Sequence, residues 1–254
     1  MAERKRLLNI EVDDLTMPEF LSTYASGLVV TPNADHLITL QSDREFWEIY
    51  RTAEFVTVDS QIVKFALAFL GLPVRAKLSG SDLFPAFYRH HAQDPSVSIF
   101  LLGGREGVAR AAAERINAIV GRQMIVGYRS PSMRIAEDAD ETTDVVSEVN
   151  RSGATVLAVG LGAPKQERWI AANRDRMPGV ARFLAIGATL DFEAGNLKRA
   201  PAAFSSLGLE WLFRLTMEPR RLWRRYLVRD PKFLWLVFLQ RFGAYRNPFV
   251  QERG

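Results

Sequence analysis

Val97-Ser98-Ile99-Phe100-Leu101-Leu102-Gly103-Gly104, followed by the alanine-rich stretch from Arg105 to Val120, is the segment that decides the fold. Its apolar run shows no alternation, so it reads as a strand covered on both faces rather than one side of a hairpin. Gly103-Gly104 permits a tight turn, and the stretch after it has the composition of a helix. Strand, glycine turn and helix make one crossover unit. A second follows at Thr155 to Gly160, with the turn Val159-Gly160-Leu161-Gly162-Ala163-Pro164 and a helix from Lys165 to Asn173. Pro164 suits the start of that helix, where its missing N–H has no intrahelical partner to lose.

Further candidate strands lie at Leu8 to Val12, Leu28 to Thr31, Phe55 to Val58, Gln123 to Tyr128 and Arg182 to Ile186. Helical patterns separate them at Pro18 to Ala25, Ala34 to Ala53 (one helix or two), Gln61 to Leu70, Leu83 to His91 and Asp140 to Asn150. Alternation of this kind predicts an α/β fold: a Rossmann-like, doubly wound, mostly parallel sheet with helices on both faces. The composition shifts after Asn196, where aromatic and basic residues interleave. The expected division is an α/β catalytic domain over 1–196 and a basic, aromatic helical appendage over 197–254.

The bulk properties narrow the classes. A chain of 254 residues with 48% hydrophobic and 24% charged residues is an ordinary globular composition. With no cysteine, disulfides, thiolate metal sites and cysteine nucleophiles are excluded. The N-terminus is charged from Glu3 to Arg6 and meets only a short apolar stretch, which is not the pattern of a signal peptide. From Lys198 onward, twelve Lys/Arg stand against four Asp/Glu, a net of +8 that leaves −4 for the first 197 residues. Such asymmetry predicts an anionic partner for the tail, a membrane surface or a nucleic acid. The apolar run Phe233 to Phe242 is far shorter than the ~20 residues a spanning helix needs. It is expected to lie on a bilayer or pack on the body.

Four segments carry candidate chemistry, each just after an expected strand, where open α/β sheets place their ligands. Thr31-Pro32-Asn33-Ala34-Asp35 reads either as a helix start capped by Thr31 or Asn33, or as a polar loop offered to a sugar. Asp59 ends an apolar run; it either caps the helix near Gln61 or serves as the base for an acceptor hydroxyl. In Gly160-Leu161-Gly162-Ala163-Pro164-Lys165-Gln166-Glu167, two glycines before a helix start let backbone N–H groups approach a diphosphate, with Lys165 as a further cation. The fourth is Ile186-Gly187-Ala188-Thr189-Leu190-Asp191-Phe192-Glu193-Ala194-Gly195, a small-residue turn with an aspartate. Asp138-Ala139-Asp140 reads as a solvated helix start, and His36, His90 and His91 lack ligand spacing, so no metal site is expected.

Taken together with Val58-Asp59, Leu78-Ser79-Gly80-Ser81-Asp82-Leu83 and the tail blocks Arg199-Ala200-Pro201, Gly208-Leu209-Glu210-Trp211, Glu218-Pro219-Arg220-Arg221 and Arg225-Tyr226, these segments resemble the WecG/TagA/CpsF family of bacterial glycosyltransferases. The resemblance spans about Asn9 to Phe233. It implies an inverting, metal-independent transfer, without cofactor, from a UDP-sugar to an undecaprenyl-diphosphate-linked sugar in cell-surface polysaccharide synthesis. The sugar implied is of the N-acetylmannosamine, N-acetylmannosaminuronic acid or glucose type. In such enzymes the residue matching Asp59 is the proposed general base, and those matching Thr31, Asn33 and Gln166 line the site. The family usually has glycine where this chain has Ser60, and arginine where it has Lys77, which keeps the charge but loses the bidentate fork.

The expected substrate-binding set is Thr31, Asn33, Lys77, Gly80, Asp82, Gly103, Gly160, Gly162, Pro164, Lys165, Gln166, Glu167, Gly187 and Asp191, with Asp59 catalytic. Arg214, Arg221 and Arg224 fall at spacings compatible with one helical face and are expected to meet the acceptor diphosphate or anionic lipid. The expected partners are a UDP-sugar donor, a polyprenyl-diphosphate-linked acceptor and an anionic membrane surface. Nucleic acid is not expected, a homo-oligomer stays open, and the expected location is cytoplasmic, peripheral on the inner face of the cell membrane. Two readings from other classes remain: a nucleotide-binding, oxidoreductase-like module, and a nucleic-acid binder using the basic tail. The first lacks a Gly-X-Gly-X-X-Gly run after its first strand.

Overall fold

The computed structural model describes residues 3–197, 204, 210–217, 219–224 and 229–250. The chain divides into two compact units, one built from residues 1–16, 31–79 and 199–254 and the other from 17–30 and 80–198.

The first unit opens with an antiparallel hairpin, β1 (Arg4–Leu7) and β2 (Ile10–Asp13), in which Leu7 pairs with Ile10 and Arg4 with Asp13. The sequence reading gave β2 only, because Arg4-Lys5-Arg6 carries no apolar alternation. Charged side chains of this kind suit an edge strand, where backbone pairing does the work. The turn holds Leu8 at φ 53°, left-handed and fully buried. Neighbouring groups hold it there: the Leu8 N–H donates to Gln240 Oε1 at 2.7 Å, and Trp47 Nε1 donates to the Asn9 carbonyl at 2.7 Å.

The stretch 34–53 forms two helices, α2 (Ala34–Thr39) and α3 (Arg44–Thr52), the second capped by Asp43, whose Oδ1 accepts from Phe46 N–H. The short strand β4 (Phe55–Val56) is fastened to the hairpin by Asp13. One carboxylate oxygen of Asp13 pairs with Arg4 at 2.9 Å and the other accepts from Val56 N–H at 2.7 Å. Helix α4 (Gln61–Phe69) follows.

Three C-terminal helices also fall in this unit: α10 (Glu210–Met217), α11 (Pro219–Arg224) and α12 (Asp230–Arg241). Helix α12 packs on the unit rather than standing apart. It buries Phe233 and Val237, Arg229 just before it pairs with Asp35 at 2.9 Å, and Tyr245 beyond it donates to Gln41 Oε1 at 2.6 Å. Among the described residues no helix is long and apolar enough to cross a membrane.

The second unit contains α1 (Met17–Thr23) and five parallel strands: β3 (Gly27–Val30), β5 (Ile99–Gly103), β6 (Ile125–Arg129), β7 (Val156–Gly160) and β8 (Arg182–Ala185). They lie in the order β3-β8-β7-β5-β6, with Leu101 opposite Ala158 and Leu157 opposite Phe183. This is the Rossmann-like α/β fold that the crossover units predict. All five residues of β5 are buried, which is why its sequence shows no alternation.

Between the strands run α5 (Gly80–His90), α6 (Val108–Val120), α7 (Ala139–Ser152), α8 (Lys165–Asn173) and the short α9 (Thr189–Glu193), which the sequence reading took for a turn. Helix α6 ends at Gly121 and α7 at Gly153, both left-handed C-caps, and Asp138 caps α7 by accepting from Glu141 N–H at 2.9 Å. From β5 the chain moves one way to β6, then returns across β5 to β7 and β8. The order therefore reverses between β5 and β7, the switch point at which open α/β sheets leave a crevice.

The connection from α5 into β5 is gathered by one side chain. Arg122 donates from Nε to the Ala92 carbonyl at 2.7 Å, and from Nη2 to the carbonyls of Asp94 at 2.6 Å, Val97 at 2.9 Å and His91 at 3.2 Å. Arg122→Met should lower the unfolding free energy by about 2–3 kcal/mol, since charge-assisted bonds to carbonyls are lost together. A urea titration checks this; a change below about 0.5 kcal/mol would show that water replaces the guanidinium without loss.

Candidate active site

In the first unit, backbone hydrogen bonds collect three of the segments singled out by sequence. The Asp59 N–H donates to the Pro32 carbonyl at 3.3 Å, the Leu78 N–H donates to the Val58 carbonyl at 2.8 Å, and the buried Thr57 hydroxyl donates to the Leu78 carbonyl at 2.8 Å. Thr31 and Asn33, Asp59 and Lys77 are thereby brought to one region. Thr31 is buried and the other three are half-buried.

Two ambiguities left by the sequence are resolved here. Asn33 is the N-cap of α2, its Oδ1 accepting from His36 N–H at 3.2 Å. The cap of α4 is Ser60, whose Oγ accepts from Val63 N–H at 3.4 Å, so Asp59 is not the capping residue. Ser60 sits at φ −130°, an ordinary extended conformation, so a serine costs no strain at this position and adds a cap.

In the second unit, four glycine turns converge at the carboxyl ends of the strands. A Cβ on Gly103 would overlap the Gly160 carbonyl, and one on Gly160 would lie 2.7 Å from the Gly187 oxygen and 2.9 Å from Leu190 Cδ1. One on Gly80, at the start of α5, would lie 3.3 Å from the Ile186 oxygen. The ends of β5, β7 and β8 therefore approach with no room for a Cβ between them, and the Gly104 N–H donates to the Gly160 carbonyl at 3.3 Å. The Gly160–Pro164 turn feeds α8 with Pro164 in the cap position and exposed Gly162 at φ 78°.

The Gln166-Glu167 pair lies beneath this edge. Gln166 Oε1 accepts from Gly187 N–H at 3.0 Å, and its Nε2 donates to Glu167 Oε1 at 2.9 Å. Both side chains are buried, and Glu167 Oε2 has no hydrogen-bond partner among the described residues. Burial pushes the Glu167 carboxyl up to about 7. Lys165 points elsewhere, its ammonium donating to the Met133 carbonyl at 2.7 Å on the exposed side. Asp191 and Asp82 lie half-buried in the first turns of α9 and α5.

Residues that the sequence reading did not single out also hold this edge. Ser130, just after β6, donates to the Arg105 carbonyl at 3.0 Å, and the Tyr88 hydroxyl donates to Glu193 Oε2 at 2.8 Å. A serine directly after a strand carried the only sequence signal for the first; Tyr88, on the buried face of a helix, carried none. Arg214 lies on α10 and Arg221 and Arg224 on α11, with side chains outside the described residues.

Glycine turns at a switch point serve many nucleotide enzymes, so the geometry alone names no reaction. The sequence model of the Glycosyl transferase WecG/TagA/CpsF family matches residues 5–247, nearly the whole chain. The chain belongs to this family. It is a glycosyltransferase, which selects among the three classes that the sequence left open. A glycosyltransferase acts on a sugar donor and an acceptor, and both segments shared with the family and the glycine edge described above fall within the matched residues.

The glycosyltransferase should show the buried Glu167 in its stability. The folded carboxyl keeps its proton up to about pH 7, whereas the unfolded one loses it near 4.5. Stability therefore falls as pH rises through that window, by on the order of 3 kcal/mol, and is flat above it. Glu167→Gln, which preserves the hydrogen bond from Gln166, should remove this slope and be the more stable form at pH 8. Denaturant midpoints of both proteins at pH 5 and pH 8 decide the matter; parallel pH dependence would mean that Glu167 is not protonated in the fold.

Proposed function

We propose that this glycosyltransferase moves a sugar of the N-acetylmannosamine, N-acetylmannosaminuronic acid or glucose type from a UDP-sugar to an undecaprenyl-diphosphate-linked glycan in cell-surface polysaccharide synthesis. The donor diphosphate sits against the glycine edge from Gly160 to Gln166, where main-chain N–H groups and the start of α8 offset its charge. Thr31, Asn33, Lys77, Gly80, Asp82, Gly103, Gly187 and Asp191 are the further substrate-binding residues of this reading.

Asp59 takes the proton of the acceptor hydroxyl as that oxygen forms its bond to the anomeric carbon. The bond from the anomeric carbon to the β-phosphate oxygen breaks, UDP leaves with the electron pair, and the anomeric centre inverts. One displacement needs no enzyme nucleophile and, in this reading, no metal. The basic segment 197–254, with Arg214, Arg221 and Arg224, meets the anionic surface from which a lipid-linked acceptor is reached, each cation contributing about 1 kcal/mol at low salt. The enzyme then works as a cytoplasmic, peripheral protein on the inner face of the membrane.

The observation that carries the reading is the capping of α4. Ser60 supplies the cap, while Asp59 stands at the end of a buried segment beside the Pro32 carbonyl. This arrangement supports the role of general base that the family resemblance gives Asp59.

Incubation with a panel of UDP-sugars and a short-chain polyprenyl-diphosphate sugar should release UDP for one donor class. Asp59→Asn should lower turnover by roughly 10²- to 10⁴-fold while leaving donor affinity within a factor of about two. Undiminished turnover in that variant would remove Asp59 as the base, and transfer only to acceptors without a lipid would refute the proposed acceptor.

A further inference from the structure

Helix α4 and helix α12 enclose an open groove of about 360 Å³ lined by Ile62, Phe65, Ala66 and Phe69 on one side and Leu234, Val237 and Phe238 on the other. The lining residues recur at helical spacing, so they form a channel along the two helices rather than a scattered patch. Phe65, Phe69 and Leu234 are 52%, 51% and 55% exposed, an apolar surface of the kind that marks a binding site. The volume lies within the roughly 300–1,000 Å³ of small-molecule sites.

The charge around the groove selects its occupant. Residues 61–78 and 230–250, which supply both walls, carry Lys64, Arg75, Lys77, Lys232, Arg241 and Arg246 against Asp230 alone, and Arg75 is paired with Asp14 at 3.4 Å. A second copy of the chain would set this excess of positive charge against its like, which like-charge repulsion opposes. An amphiphile with an apolar tail and an anionic head satisfies the groove and its rim together. Helix α4 starts two residues after Asp59, so Ile62 lies in its first turn and Phe69 about 10 Å further along the axis. A head group near residue 59 therefore has the groove leading away from it.

We propose that this groove binds the first isoprene units of a polyprenyl-diphosphate acceptor, with the diphosphate toward the start of α4. The inference rests on the reading of the acceptor as lipid-linked. It assigns the tail a site on the folded unit, so the enzyme distinguishes acceptors by their lipid as well as their sugar.

The test is calorimetric titration of the full-length protein with inorganic pyrophosphate, geranyl diphosphate and farnesyl diphosphate. Affinity should rise along that series. The double variant Phe65→Ser/Phe69→Ser changes two half-exposed side chains and should lose roughly tenfold or more in farnesyl diphosphate affinity with pyrophosphate affinity unchanged. Should the double variant fail to fold by circular dichroism, Phe65→Ser alone serves, with a smaller loss in the same direction. Affinity independent of tail length, or equal in variant and wild type, overturns the inference. So does loss of flotation on phosphatidylcholine/phosphatidylglycerol vesicles with the tail preference intact, which would give the groove to bilayer lipid, and so does loss of a wild-type dimer in sedimentation. UDP release separates the two readings. Transfer to lipid-linked sugars without tail dependence refutes the groove alone, whereas tail-dependent binding without any such transfer supports the groove and refutes the acceptor reading.

Discussion

Three strands of the second unit end so close together that no side chain fits between them. With a Cβ at Gly103 or Gly160, the turns after β5, β7 and β8 would have to part, because it would meet the main-chain oxygen of Gly160 or of Gly187, which cannot swing aside, and at Gly160 the Leu190 side chain as well. The absence of a Cβ lets the loops stack as bare backbone, joined by the Gly104 bond to Gly160 and the Gln166 bond to Gly187. The reversal of strand order between β5 and β7 opens a crevice at that place. In the proposed function, the peptide groups left bare by these glycines are the preorganised donors that favour a charge developing on the leaving group.

The first unit reaches a comparable rigidity by different means. Its loops are held by carboxylates and hydroxyls that accept or donate to backbone: Asp13 to β4, Asp14 to the Arg75 N–H at 2.8 Å, Thr57 to Leu78. Each of these side chains is buried, and each satisfies a main-chain group that burial would otherwise leave without water. The segments around residues 31, 59 and 77 consequently have little freedom, and Asp59 inherits a defined backbone position from its neighbours. For the proposed role of Asp59 as proton acceptor that fixing matters, since misplacement of a reacting group by about 1 Å costs on the order of 10²-fold in rate.

Much of this was legible in the sequence, and the reasons differ by element. The unbroken apolar run at 97–102 and the glycine turn after it announced a buried parallel strand, because no other arrangement covers both faces. The same reasoning located β7 and β8. Strand β1 escaped because Arg4-Lys5-Arg6 is held by its hairpin partner and by Asp13, neither of which leaves a periodic trace. Helix α9 escaped because five residues are too few to show a period. At the site, glycine spacing identified the edge, but spacing says nothing about depth. Gln166 and Glu167 read as polar groups facing a ligand, whereas the structure turns both inward and sends Lys165 to Met133. Direction around a helix start depends on where the preceding turn leaves the chain, and a left-handed glycine at residue 162 sets that.

In the proposed function, the inward turn of Glu167 bears on how the edge would hold a diphosphate. A carboxylate fixed directly beneath a cradle for anions would repel the ligand through a medium that screens poorly. Desolvation removes the conflict by keeping the group protonated to near neutral pH, and the proton leaves Glu167 able to accept from Gln166 without placing a negative charge there. Gln166 in turn spends its carbonyl on Gly187 and so locks two of the three turns to each other. An ionised Glu167 would draw the Gln166 amide more strongly but set a full charge below the cradle; an apolar residue would leave the amide donor buried without an acceptor. A neutral hydrogen-bond acceptor meets both demands, and at this position the chain uses a carboxyl that burial keeps protonated.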